Sequence, residues 1–372
     1  MASTITIDAL RQELWSAELM DDVIKDVEDA MDFMGEGPNN VVQISRELSK
    51  KKGDTQTFGL VTRLRGDGVT GDDELEGNEE AMASYAEQVV IDQVRHGVRL
   101  KGKLDDQKVV YDQIEEAREN LKIWGTEFLI RQMFLKLGGV TNTSLVDTNG
   151  DAYSARAAYS NTPDFIPDAD EAAGTGARYL RAGTTGSGDG TDDFADADVL
   201  TLDDITKAAT LAKLATPKIQ PLKIDGQNCY VIFVHPLQAR DLRMSDDWKE
   251  AALNARERSE KNPLFRGALG FWSNVLIVEN EFVPWLDVSA SGNSFRGTAT
   301  GTDCAKDCAR ALLCGRQAVL MAEVKNPKAL IVEQFDYKNK DGVAIAMING
   351  LQKAMFNGKE FGVVAVDSVA QL

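Results

Sequence analysis

The stretch TQTFGLVTRLRGDGVTGDDELEGNEE, Thr55 to Glu80, and the run EQVVIDQVRHGVRLKGK, Glu87 to Lys103, together decide the fold class. Thr55–Arg65 and Glu87–Lys103 are rich in β-branched and apolar residues and read as strands. Near the end of the second run the alternation is clean. Val94, His96, Val98 and Leu100 point one way, and Arg95, Arg99 and Lys101 point the other. Between the runs lies GDGVTGDDELEGNEE, Gly66 to Glu80, glycine-rich and dense in carboxylates. The result is two strands joined by a long acidic tip. A two-stranded hairpin is marginal alone in water, so this one must lie on another surface.

The charge layout bears on which surface that is. Asp72, Asp73, Glu74, Glu76, Glu79 and Glu80 repel one another if left together at the tip, while Arg63, Arg65, Arg95 and Arg99 sit on the stems. Two readings stand on charge alone. The acidic tip could find the basic stem or base of a neighbouring copy, or its charges could merely keep an exposed loop solvated. Exposed ion pairs are worth roughly 0–1 kcal/mol each, so such contacts would set register more than stability.

Towards the N-terminus, Leu10, Leu14, Ala17, Met20 and Ile24 could line one face of a helix. The breaker Gly35-Glu36-Gly37-Pro38-Asn39-Asn40 follows. Residues 1–52 thus read either as an arm that docks elsewhere or as an ordinary first helix of the core. On the other side of the hairpin the period changes. Val110, Ile114, Ala117, Leu121, Trp124 and Phe128 form a continuous apolar stripe from Asp105 to Leu137. Asp105 and Asp106 suit its start and Gly138-Gly139 its end. Such a rod would be roughly 50 Å long, with Gly125 marking a kink or a close contact.

Residues 140–200 lose periodicity and fill with Gly, Asp, Thr, Ser and Ala. Asp189, Asp192, Asp193, Asp196 and Asp198 invite a calcium reading, but the EF-hand spacing fails and a surface insertion is preferred. Order resumes at Thr201, which with Asp204 resembles a capping pair. Asp225-Gly226 turns the chain into the buried strand Cys229–Val234, and a helical pattern runs after His235-Pro236 to Ala255. Asn274–Val278, Ala329–Phe335 and Gly362–Val366 read as strands, as does Val343–Phe356, for which a helix is also defensible.

The composition narrows the function. A net charge of -18 repels nucleic acid and anionic membrane, because a phosphate binder needs clustered Lys and Arg. The N-terminus has no signal-peptide pattern, and no apolar run reaches the length of a membrane span. Cys229, Cys304, Cys308 and Cys314 have neither disulfide-scaffold density nor zinc spacing and are expected as small apolar residues near a helix. His96, on the apolar side of a strand, reads as packed, and neither it nor His235 lies in a nucleophile-elbow context. Walker, dinucleotide and metalloprotease motifs are absent. No catalytic residue, cofactor or metal is therefore assigned.

Specific strings go further. Thr62–Glu80 (TRLRGDGVTGDDELEGNEE), Ile91–Lys103 (IDQVRHGVRLKGK), Val234–Trp248 (VHPLQARDLRMSDDW), Asn262–Ile277 (NPLFRGALGFWSNVLI) and Arg310–Ala322 (RALLCGRQAVLMA) closely resemble the N-four-type family of phage major capsid proteins. The resemblance covers most of the chain from about residue 50 onward and implies an α+β, Hong Kong 97-type capsid fold. It would make 1–52 an N-terminal arm, 53–103 an extended β-hairpin loop and 104–139 the spine helix of a peripheral domain. Residues 140–200 would be an insertion, 201–330 an axial α/β domain and 331–372 closing strands of the peripheral domain. It further implies self-assembly into hexamers and pentamers of an icosahedral shell around double-stranded DNA. Portal, a separate scaffolding protein and decoration proteins are the implied partners, with assembly in the bacterial host cytoplasm and no membrane association. No motif assigns a covalent cross-link between subunits. On this reading Arg63, Arg65, Arg95 and Arg99 contact a neighbour's carboxylates, with Asp72, Asp73, Glu74, Glu76, Glu79 and Glu80 as candidate partners.

Rival readings are a cellular nanocompartment shell enclosing protein cargo, another virion part such as a decoration or tail protein, and an acidic hydrolase using His96 or His235.

Overall fold

The structure is a computed structural model that describes residues 33–46, 53–61, 68–71, 76, 79, 84–110, 112–139, 178–183, 195–215, 218–224, 226–255, 268–286, 306–324, 330–337, 339–356 and 359–371. Strands β1 (Met34–Gly35) and β2 (Val42–Ser45) flank the Gly-Pro-Asn-Asn break. Val41, Val42 and Ile44 between and within them are buried. Asn39 exchanges two hydrogen bonds with the Lys223 backbone, and Arg46 pairs with Glu323 at 2.8 Å. The later part of the expected arm is therefore core, because its Val and Ile side chains have a sheet to enter. Residues 1–32 and 47–52 lie outside the described residues.

Strands β3 (Thr55–Val61) and β4 (Ser84–Val90) form the antiparallel hairpin, with Thr55 opposite Val90 and Val61 opposite Ser84. The second run does not continue as one strand. It divides at Ile91, and β5 (Asp92–Arg99) leaves the hairpin to pair with another sheet. After a short turn of helix, α1 (Lys103–Asp106), the long helix α2 spans Gln113–Leu137. Its start was expected at Asp105; the actual cap is Asp112, whose Oδ1 accepts from the amides of Ile114 and Glu115. Val110 consequently lies outside the stripe and is fully exposed. The helix has 25 residues, about 38 Å.

The next strand, β6 (Tyr179–Arg181), lies in the segment expected to be an insertion, and it pairs with the last strand of the chain. Helix α3 (Leu202–Leu214) starts at Thr201, which with Asp204 forms the reciprocal capping box read from the sequence. Strands β7 (Leu222–Ile224) and β8 (Gln227–Val234) make a tight hairpin, followed by α4 (Pro236–Met244) and α5 (Asp246–Ala255). There follow β9 (Ala268–Trp272), β10 (Val275–Glu279), β11 (Trp285–Leu286), β12 (Cys308–Cys314) and β13 (Val319–Glu323). The chain closes with β14 (Leu330–Phe335), the long β15 (Lys340–Lys353), the small ribbon β16 (Met355–Phe356) and β17 (Lys359–Glu360), and β18 (Val363–Val369). Val343–Phe356 is thus strand for almost its whole length.

Two mixed sheets organise these strands. The six-stranded sheet runs β1-β2-β13-β15-β14, with β5 along the other edge of β15. The eight-stranded sheet runs β6-β18-β12-β8-β10-β9, with β11 on β12 and β7 on β8. A boundary at residue 330 does not divide them: β13 lies before it and joins the six-stranded sheet, whereas β18 lies after it in the eight-stranded one. Side-chain pattern alone cannot reveal such a return, since β18 is as apolar as its neighbours.

Helix α2 packs on β15 and β5. Its far half reaches the eight-stranded sheet too, where Phe134 meets Phe233 edge to face at 5.3 Å. Leu121, Phe128, Met133 and Phe134 share one core with Val319, Met321, Val343 and Ile345 of one sheet and Val231, Leu312 and Val363 of the other. The opposite face of the eight-stranded sheet is covered by α3 and α4 through Ile205, Ala208, Ala209, Ala212, Ala239 and Leu242. Every residue of β12 and β18 is buried. Strands covered on both faces read as unbroken apolar runs. Cys308 and Cys314 lie in β12 and Cys229 in β8, so these cysteines are strand residues, Cys314 sharing the core of α2.

The hairpin is seated by its base. Phe58 and Val89 pack on Leu320, Ala322, Ala354 and Phe361, and Gln352 donates to Glu87 at 2.6 Å. Burial raises the Glu87 carboxyl above its ordinary range against that hydrogen bond. Val90 crosses β15 so closely that a Cβ on Gly350 would stand 2.4 Å from the Val90 carbonyl oxygen. Only glycine leaves room for that crossing.

Candidate assembly surface

The face of β5 turned away from α2 carries Arg95 and Arg99, both exposed. They stand opposite Ala346 and Gly342 of β15, with Gly97 between them opposite Ala344. Two arginines therefore rise from a floor of small residues. Gly342 has no side chain, and Arg99 extends across it to place its guanidinium 4.5 Å from the ring centre of Phe335 on β14. That contact holds the charge in place at the sheet's surface.

On the other face, Val94 is buried but His96 and Val98 are exposed. The His96 ring lies 4.5 Å from Trp124 of α2, and Trp124 stacks on Phe128. His96 is packed on one side only, where alternation had placed it inside. The strand outruns the helix that covers it.

Of the expected contact residues, Arg95 and Arg99 share this surface, and Glu76 and Glu79 are exposed. Arg63, Arg65, Asp72, Asp73, Glu74 and Glu80 lie outside the described residues. His235 is the N-cap of α4; its Nδ1 accepts from the Leu237 amide, and burial lowers its pKa to about 4. Gln238 completes the cap and donates to the Ala309 carbonyl and the Ser368 hydroxyl. A neutral, buried capping imidazole is a fold element and offers no base to a substrate.

Sequence reasoning missed a cluster of buried charge at the carboxyl end of α2. Arg310 of β12 grips Asp367 of β18 with two 2.7 Å bonds and donates a third, at 2.8 Å, to the Gly138 carbonyl. Lys353, the last residue of β15, donates to the Leu137 carbonyl at 2.8 Å and pairs with Glu360. The final carbonyls of a helix carry partial negative charge and lack partners within it. Burial opposes the Arg310 charge, yet the Asp367 carboxylate outweighs it and its pKa is raised. Burial dominates in the other pair, lowering Lys353 to about 8 and raising Glu360 to about 7. Charged residues inside otherwise apolar β12, β15 and β18 were the available signal.

The sequence pattern of the family described as phage capsid protein matches residues 3–372. The chain belongs to the phage capsid protein family. The major capsid protein of Pseudomonas phage KPP25 is 29% identical over 347 residues, covering 90% of this chain and 89% of its own length. The capsid of Ralstonia phage GP4 superposes with a TM-score of 0.76 at 27% identity, covering 93% of this chain and 91% of that one. The capsid asymmetric unit of cyanophage Pam1 has a TM-score of 0.67 at 24% identity over 91% of each chain, a likeness of fold. This capsid protein thus has a mixed α+β capsid fold, serves as a major shell component of a phage virion, and belongs to a structural family and not to one of enzymes. Among the described residues no helix is long and apolar enough to cross a membrane.

Proposed function

We propose that this capsid protein is the shell subunit of an N-four-type tailed phage, with a Hong Kong 97-type fold, and that it forms hexamers and pentamers of an icosahedral shell around double-stranded DNA. The observation that carries the reading is the β3–β4 hairpin. Among the described residues it is fastened by its base, where Phe58 and Val89 pack on Leu320, Ala322, Ala354 and Phe361, and a two-stranded ribbon needs a further surface to lie on. The six-stranded sheet with α2 and the hairpin is the peripheral part, and the eight-stranded sheet with α3, α4 and α5 is the axial part. The paired arginines of β5 receive carboxylates of a neighbouring copy, with Asp72 to Glu80 as partners and Arg63 and Arg65 reinforcing the stem. Portal, separate scaffolding and decoration proteins complete the particle, which is made in the bacterial cytoplasm.

Negative-stain electron microscopy of the overexpressed full chain, with and without its phage neighbours, tests the reading. Closed shells, tubes or hexameric rings are expected, and a uniform small oligomer under both conditions overturns it. For the arginine surface, the double variant Arg95→Glu with Arg99→Glu should abolish particles while the subunit stays folded. Normal particles from that variant would remove the surface from the mechanism.

A further inference from the structure

The chain passes between the two sheets twice near the end of α2. The first crossing, from β12 to β13, runs through Gly315, Arg316, Gln317 and Ala318; the second, from β15 to β18, runs through Ala354 and the β16–β17 ribbon. The crossings lie side by side, joined by bonds from the Gly315 amide to the Gly362 carbonyl (2.8 Å) and from the Ala354 amide to the Ala318 carbonyl (3.0 Å). Any change in the angle between the sheets must bend this place. The carboxyl end of α2 sits against the same place, held by Arg310 from the eight-stranded sheet and by Lys353 from the six-stranded one.

The two grips differ in kind. Arg310 is a planar fork with three bonds, and both it and Asp367 belong to adjacent strands of one sheet. It fastens the helix to that sheet whatever the other does. Lys353 is a flexible chain bearing a point charge, and its pair with Glu360 joins the last residue of β15 to the last residue of β17, two residues short of β18. That pair closes the second crossing into a loop, so it is the one strained when the sheets rotate.

We infer that Lys353 and Glu360 form the releasable half of a clasp on the end of α2, and that its opening lets the six-stranded sheet pivot while Arg310 and Asp367 keep the helix on the eight-stranded sheet. The charged and titratable groups facing the pair are Arg310 and the neutral Cys314 thiol of β12 and Arg178 ahead of β6, with the Leu137 carbonyl of α2. The sign of the pH dependence follows from which protonation state the closed clasp prefers. Buried Glu360 holds its proton up to about pH 7, whereas the solvated group of the open clasp has an ordinary carboxyl pKa. Acid therefore favours the closed form. Buried Lys353 gives up its proton near pH 8, so strong base favours it as well. With Glu360 raised and Lys353 lowered by burial, the clasp opens most readily in the neutral range and closes on acidification.

Hydrogen exchange of the full chain, read by mass spectrometry and corrected for the intrinsic effect of pH, tests this directly. Protection of peptides covering the end of α2 and residues 354–362 should be about tenfold lower at pH 7.5 than at pH 5.5 in the unmodified protein. Peptides across β12 and the centre of β18 should not change. The double variant Lys353→Met with Glu360→Leu should lose the pH effect. Equal protection at both pH values in the unmodified chain would overturn the proposal even if the variant does not fold. So would a folded variant that keeps the pH effect. Neither outcome depends on whether shells form, so failure here is separate from failure of the assembly reading.

Discussion

The two sheets of this capsid protein bury their residues differently. The eight-stranded sheet lies between α2 on one face and α3 and α4 on the other, so its central strands β12 and β18 are buried at every position. The six-stranded sheet is covered by α2 on one face and only partly, through the hairpin base, on the other. Strands β12 and β18 of the first have no exposed side chain. The second keeps alternation, exposed arginines and a projecting ribbon. Among the described residues, burial on both faces and exposed arginines thus fall on different sheets of one chain.

The sharpest way to break that contrast is to unpair a charge inside the two-sided sheet. Asp367→Ala leaves Arg310 buried without its carboxylate and should cost about 3–5 kcal/mol in chemical denaturation. An effect below about 1 kcal/mol would mean that water reaches the strand. A matched pair of truncations comes next. Phe233→Ala should cost about 3–5 kcal/mol and Phe58→Ala, at the hairpin base, about 2–3 kcal/mol. The comparison fails if the order reverses.

A third effect appears on acidification. The folded His235 has a pKa depressed to about 4, so its contribution is full above the ordinary value near 6.5 and is lost as pH falls through about 4. The loss should approach about 3 kcal/mol, and His235→Asn, which preserves a capping acceptor, should flatten that limb of the stability–pH curve. Removing the α3 cap by Thr201→Ala should cost about 1 kcal/mol. Smallest of all, Arg95→Glu should shift subunit stability by no more than about 0.5 kcal/mol, because the surface around it is open. A larger loss would show that this face supports the fold as well as assembly.

Much of the six-stranded half was legible from the chain. Alternation around Val94 and the β-branched run Thr55–Val61 have a period of two because each faces a core on one side only. The capping box at Thr201, the turn before Cys229 and the helices after His235 announced themselves by local chemistry. The eight-stranded sheet was harder. Strand β12 was not recognised as a strand, and neither was β13 of the other sheet, since burial on both faces erases the period that marks a strand. The return of β18 to that sheet is a long-range choice that no local pattern encodes. In the candidate site, Arg95 and Arg99 could be placed from their parity on β5, whereas the reach of Arg99 over Gly342 to Phe335 depends on a pairing between distant strands. The clasp was hidden for the same reason: Arg310, Lys353, Glu360 and Asp367 are scattered in sequence and meet only around the end of α2.

The missing side chain at Gly350 has a mechanical reading. Strands β3 and β4 each have 7 residues, a lever of roughly 23 Å pivoting on the carbon-thin gap where Val90 crosses β15. A methyl group there would prop up the fulcrum, and a tilt of about 5° would swing the far end of such a lever by about 2 Å. That displacement is comparable to the difference between a hydrogen bond made and one lost. The aim of the arm is thus set at its root, and Gly350→Ala is a change in geometry long before it is a change in contact.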